Sequence, residues 1–171
     1  TRFGASRGFT VDVLPLVLDA GDAAWSSSRI RELIAAGEVR AAAQALGRPH
    51  RVEGRVVEGD RRGRELGYPT ANLELDSRVA VPLDAVYAGR LLVGDEEFPA
   101  AISVGTNPQF AGAERRVEAY ALDRDDLDLY GQEAAVDFVE RLRGQEVFAS
   151  VADLQEQMAL DVAAARDLLR G

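Results

Sequence analysis

Apolar and polar residues change their rhythm twice along the chain. FTVDVLPLVLD, residues 9–19, is a short apolar run closed by AGD, which predicts one buried strand of an α/β unit. The next stretch, WSSSRIRELIAAGEVRAAAQALGRPH, has helical spacing. Ile30, Leu33 and Ile34 share a face, Ser26, Ser27 and Ser28 offer an N-cap, and Gly37 and Gly47 fit helix ends, so two short helices are expected. One strand and two helices cannot bury their apolar faces as an independent α/β domain, and this part reads as incomplete. From about Arg51 the period falls to two. RVEGRVVEG, AGRLLVGDEEFPAAISVG, RRVEAYALD and AAVDFVERL are short β-rich stretches separated by Gly, Pro and Asp, the pattern of an antiparallel barrel or sandwich, with GDEE as a hairpin turn. The last segment returns to helical spacing. Ser150 and Asp153 make a capping-box-like start, and Leu154, Met158, Val162, Ala165 and Leu169 form one stripe, so a helix packed on the barrel is expected.

Composition narrows the function classes. With 171 residues, 47% of them hydrophobic and 29% charged, the chain is globular in character and can bury one ordinary core. Its formal net charge of −9 argues against a general nucleic-acid or anionic-membrane surface, so an anionic ligand must be met by local groups, backbone N–H or a metal. The absence of cysteine rules out disulfides and thiolate zinc sites, and His50 is the single histidine. No apolar run approaches the roughly 20 residues that span a bilayer, and a cytoplasmic protein is the default expectation.

Two places carry candidate chemistry. Gly59, Gly63 and Gly67 are spaced evenly through a polar, arginine-containing stretch, which reads as a flexible loop. Such a loop is either a solvated surface turn or a phosphate cradle, because glycine lets backbone N–H groups approach phosphate oxygens. Directly after it stands GYPTANLEL. In an extended segment Thr70 and Asn72 point the same way, and they can offer a hydroxyl and a carbonyl oxygen to a hard cation such as Mg²⁺ beside substrate phosphates. The second place is Glu118. On a strand, Val117, Ala119 and Ala121 share one face and Glu118, Tyr120 and Leu122 the other, so Glu118 is expected to be partly buried. It is either the ion-pair partner of an arginine such as Arg115 or Arg116, or a general base near a hydroxyl nucleophile.

From about Gly47 onward the chain resembles the riboflavin kinase domain of the bacterial bifunctional riboflavin kinase/FAD synthetase family. The resemblance lies in the Gly-rich loop leading into GYPTAN, VYAG at 86–89, ISVGTNPQF at 102–110, VEAYALD at 117–123, DLYG at 128–131 and the closing helix. It implies a six-stranded Greek-key barrel with a C-terminal helix and an ATP-dependent transfer of phosphate to riboflavin, giving FMN and ADP. It further implies that Gly59, Gly63, Gly67, Tyr68, Pro69, Thr70 and Asn72 bind ATP and its phosphates, that Thr70 and Asn72 hold Mg²⁺, and that Glu118 is the base. The flavin slot is expected between the GTNPQF loop, with Asn107 and Phe110, and the closing helix. Where a frequent family pattern has histidine two residues after the glutamate, this chain has Tyr120.

The N-terminal part is similar to the same family's FMN adenylyltransferase domain. In WSSSRIR, Ser27, Ser28 and Arg31 match phosphate-binding positions at a helix N-terminus, although three serines there are also an ordinary cap. The histidine motif of that domain is missing, His50 lying in the linker. The expected organisation is a C-terminal adenylyltransferase remnant at 1–48 and a kinase domain at 49–171, the chain being either a fragment or the ordered part of a longer protein. Two further readings stand beside the kinase: part of a bifunctional enzyme that also makes FAD, and a non-catalytic flavin- or nucleotide-binding barrel. A preparation verified at 171 residues is expected to form no FAD from FMN and ATP, which chromatography of the flavins checks.

Overall fold

Six stretches of alternating residues close into one antiparallel barrel in a computed structural model of the chain. The strands are β1 (His50–Val57), β2 (Ala71–Leu75), β3 (Ala85–Val93), β4 (Glu96–Thr106), β5 (Arg115–Ala121) and β6 (Glu133–Gly144), in the cyclic order β1-β2-β5-β4-β3-β6. The connections β2 to β3 and β5 to β6 cross the barrel ends, which gives the Greek-key path. Among the described residues four helices accompany the barrel: α1 (Arg2–Arg7), α2 (Ser27–Ala35), α3 (Val39–Leu46) and α4 (Val151–Leu169). The structure describes all residues except 1, 13, 14, 16, 19, 20, 22, 23, 60–62, 64, 65, 107–114 and 171, and residues 2, 3 and 5 by backbone alone.

Alternation explains the core. Val52 and Val56 of β1, Leu73 of β2, Ile102 and Val104 of β4, Val117 of β5, and Val136 and Phe138 of β6 are buried in one cluster with Tyr87 and Leu91 of β3. Alanines at 85, 100, 119 and 121 make room for the two large rings, Tyr87 and Phe138, which meet edge to face at 5.2 Å. The Tyr87 hydroxyl donates to the Leu83 carbonyl at 2.6 Å, and burial pushes this phenol up to about 12, so it stays neutral. The GDEE turn forms as expected, with Gly94 at φ +58° between β3 and β4.

The expected helices around the barrel are present. Ser26 caps α2 by accepting from the Arg29 N–H at 3.2 Å, and Gly47 ends α3 in the left-handed region at φ +69°. Val39 of α3 reaches the barrel core, so α2 and α3 lie on the β1–β6 side. His50 is a structural pin, its Nε2 donating to the Ala80 carbonyl at 2.7 Å. Ser150 caps α4 by accepting from the Asp153 N–H at 3.1 Å. Val162, Ala165 and Leu169 of α4 pack on Ala88 and Leu122, and Asp161 takes a two-pronged bridge from Arg143 of β6 at 2.9 and 2.7 Å.

The expected buried strand at 9–19 is not seen among the described residues. They show an isolated bridge between Leu18 and Ala24, and Phe9, Val11, Val17 and Leu18 are exposed. The apolar run signals burial, but among the described residues no sheet lies alongside it to receive the strand. No helix among the described residues is long and apolar enough to cross a membrane.

Gly89 marks the tightest point of closure. It sits where the β3–β6 register shifts, and a Cβ there would collide with the Asp137 carbonyl oxygen and Ile102 Cδ1. Gly89→Ala is therefore expected to destabilise the barrel by about 1–3 kcal/mol, the usual cost of overpacking, as read by urea unfolding.

Candidate active site

The β2–β5 junction brings the two candidate clusters together. Its ladder pairs Ala71 with Ala119, Asn72 with Glu118 and Leu73 with Val117, which puts Asn72 and Glu118 side by side on the outer face. On the far side of Glu118 the β4 partner is Ser103. Glu118 is half-buried, as its strand pattern predicts. The Thr70 hydroxyl donates to Glu118 Oε2 at 3.4 Å, and Asn72 Nδ2 donates to Thr70 Oγ1 at 3.5 Å. Both bonds are long, so the three side chains are close without being locked to one another.

Asn72 has an unusual electrostatic position. It is only 8% exposed, and its Oδ1 is buried with no hydrogen-bond partner among the described residues. A buried unpaired carbonyl oxygen costs free energy unless a ligand satisfies it. Gly59 presses on the same amide, and a Cβ at 59 would come within 2.5 Å of Asn72 Nδ2. Thr70 Oγ1 has one lone pair occupied by Asn72 Nδ2 and one left, so the site offers two oxygens of the type hard cations take. The described residues hold no cluster of three or more His, Cys, Asp or Glu side chains that would make a metal cage by themselves.

These groups open onto a cavity of about 220 Å³. Gly59, Gly63, Pro69, Thr70, Asn72 and Glu118 all line it, beside the core residues Val56, Leu91, Ala119 and Ala121. Gly67 and Tyr68 do not. Gly67 makes the preceding turn at φ +89°, where a side chain would be strained, and the Tyr68 N–H closes that turn on the Gly63 carbonyl at 2.8 Å. A second cavity of about 530 Å³ shares Asn72 and is bordered by Glu58, Glu74, Arg115 and Arg116. Arg115 is engaged by Asp84 at 2.6 Å and by the Val81 carbonyl.

Sequence reasoning missed the wall opposite. Arg124, Asp125, Leu127, Leu129 and Tyr130 line the smaller cavity, and Arg124 is held by Asp126 at 2.7 Å and lies 5.0 Å over the Phe98 ring. The signal was the DLYG motif at 128–131, which pattern alone leaves without a role. Asn107 and Phe110 fall outside the described residues. The closing helix α4 does not line the smaller cavity, and Ser27, Ser28 and Arg31 lie on α2, whose neighbour is α3.

Comparison with known proteins decides the family. The flavokinase model, described as riboflavin kinase, matches residues 46–169. The chain belongs to the flavokinase family. The chain is 34% identical over 167 residues to the bifunctional riboflavin kinase/FMN adenylyltransferase of Escherichia coli K12, covering 97% of this chain and 52% of that one. It is 37% identical over 166 residues to the protein of the same name from Pseudomonas fluorescens, covering 96% and 52%. The chain thus spans about half the length of the curated relatives it matches. Among solved structures, riboflavin kinase from Trypanosoma brucei aligns with a TM-score of 0.54 at 26% identity, covering 70% of this chain and 79% of that one. A Streptococcus pneumoniae protein described as a macrolide-efflux protein aligns with a TM-score of 0.83 at 38% identity, covering 90% and 50%.

If the Asn72 amide is kept for a ligand and not for the fold, its loss costs the protein little stability. Asn72→Ala is expected to leave the free protein within about 1 kcal/mol of the parent, because an unpaired buried carbonyl is removed with it. Thermal unfolding without ligands is the measurement, and a larger drop would make the amide a structural support.

Proposed function

We propose that this chain is a riboflavin kinase that transfers the γ-phosphoryl group of ATP to the ribityl 5′-hydroxyl of riboflavin, giving FMN and ADP. The observation that carries the reading is the grouping of Thr70, Asn72 and Glu118 at one cavity, with a buried carbonyl oxygen awaiting a partner, in a member of the flavokinase family. Phosphoryl transfer asks the protein mainly for alignment and charge stabilisation, and the residues present are suited to both.

Glu118 is assigned as the base. Its carboxylate accepts the proton of the 5′-hydroxyl while that oxygen bonds to the γ-phosphorus and the bond to the β-bridging oxygen breaks. Thr70 and Asn72 are the residues that would hold Mg²⁺, which when bound neutralises charge on the ATP phosphates. The donor arrangement suits this, since the Thr70 proton is directed to Glu118 and leaves oxygen lone pairs on Thr70 and Asn72. The glycine loop covers the phosphates. The N–H groups of Leu66 and Tyr68 are already spent on the Gly63 carbonyl, so phosphate contacts fall to other N–H groups of the loop. Flavin contacts by Asn107 and Phe110 remain part of the proposal.

The kinase unit is assigned to 49–171. Residues 1–48 are assigned to the adenylyltransferase part of a bifunctional enzyme, in which Ser27, Ser28 and Arg31 would serve FMN adenylylation. The extension of the E. coli match over 97% of this chain supports that assignment. A cytoplasmic location and small-molecule partners only, without nucleic acid or membrane, complete the reading.

Glu118→Gln keeps volume and hydrogen-bonding shape but cannot take a proton, so turnover is expected to fall by about 10²–10⁴ with both substrates still bound. Thr70→Ala and Asn72→Ala are each expected to cost about 10²–10³ in rate through lost transition-state stabilisation. FMN formation from riboflavin and Mg-ATP, measured with melting temperature on the same samples, checks all three. A Glu118→Gln protein that melts early yet turns over at the parental rate would reduce Glu118 to a structural ion-pair partner.

A further inference from the structure

Two aromatic rings stand directly behind the site. Tyr68 precedes Thr70 by two residues, and Tyr120 follows Glu118 by two on the same face of β5. Their centroids are 5.3 Å apart with the planes at 80°, the edge-to-face arrangement favoured by ring quadrupoles. Both pack into the apolar cluster formed by Val162, Ala165 and Leu169 of α4. Neither ring lines the smaller cavity, so neither is placed against the reacting groups.

The backbone around Thr70 needs such a contact. The β2–β5 ladder ends at the Ala71–Ala119 pair, so Thr70 and Tyr68 lie beyond the last rung. The Thr70–Glu118 hydrogen bond, at 3.4 Å, is too long to fix the spacing alone. The ring pair continues the junction by side chains where the main-chain pairing stops. Through its N–H on the Gly63 carbonyl, Tyr68 carries the same restraint into the turn of the glycine loop.

We propose that the Tyr68–Tyr120 pair, propped from behind by α4, is the positioning device that sets Thr70 against Glu118 and seats the glycine-loop turn for phosphoryl transfer. The inference rests on the riboflavin kinase reading. Tyr120 acts through Tyr68, Thr70 and Glu118 and is a positioning residue.

The test compares the parent, Tyr120→Ala, Tyr120→Phe and Ile34→Ala, the last removing a buried side chain on α2, away from the site. Because a misplacement of about 1 Å can cost about 10²-fold, Tyr120→Ala is expected to lose at least about tenfold in kcat. The KM values for riboflavin and ATP should move by less than about threefold, as expected when ground-state binding is untouched. Tyr120→Phe, which keeps the ring, should retain parental kcat. Ile34→Ala should lower melting temperature without lowering kcat. Parental kcat in Tyr120→Ala, failure of phenylalanine to rescue, or an equal kcat loss in Ile34→Ala would each overturn the inference while leaving the kinase reading in place. No FMN from the parent itself would remove the kinase reading, and the inference with it.

Discussion

The short strand β2 is the constraint on which the molecule turns. It has five residues, and in that length it must pair with β1 on one side and β5 on the other to complete the ring. The same five residues place Ala71 and Leu73 in the core and Asn72 on the outer face beside Glu118. A slip of one residue would move Asn72 inward and Leu73 outward, so apolar burial holds the polar site in register. The register of the barrel and the geometry of the site are one fact.

Charge does most of its structural work at the seams. Arg51 reaches Asp137 through two bonds of 2.7 Å across β1 and β6, and Arg143 reaches Asp161 from the barrel to α4. The second pair is the more consequential, since both side chains are largely buried and Gln157 adds a further bond to Asp161 at 2.9 Å. Such a pair is a modest source of net stability but a strong penalty against any docking that leaves one partner alone. It therefore fixes where α4 sits, and with it the surface against which Tyr68 and Tyr120 rest.

The barrel strands were legible because period-two alternation maps directly onto an inside and an outside. Val117, Ala119 and Ala121 against Glu118 and Tyr120 is the clearest case. The α4 stripe was legible in the same way, yet Asp161 was not, because a carboxylate on a helix reads as solvated until its arginine partner on another element is known. In the run at 9–19 the described residues Phe9, Val11, Val17 and Leu18 are exposed, because apolar content reports a tendency to be covered, while the covering element is a property of the surroundings. At the site, the shared direction of Thr70 and Asn72 was readable from spacing. The wall at 124–130 was not, since it lines the cavity through the path of the chain and not through a local pattern.

Closure of the ring has a further consequence, for the life of the protein among its neighbours. A closed barrel presents no free sheet edge, and so gives other chains no row of unpaired N–H and C=O groups to add to. If β2 lifts away, edges open on β1 and β5 together, each an alternating strand with an apolar inner face. The element that carries the site is also the latch against self-association, so weakening it to loosen the site would invite strand exchange and aggregation.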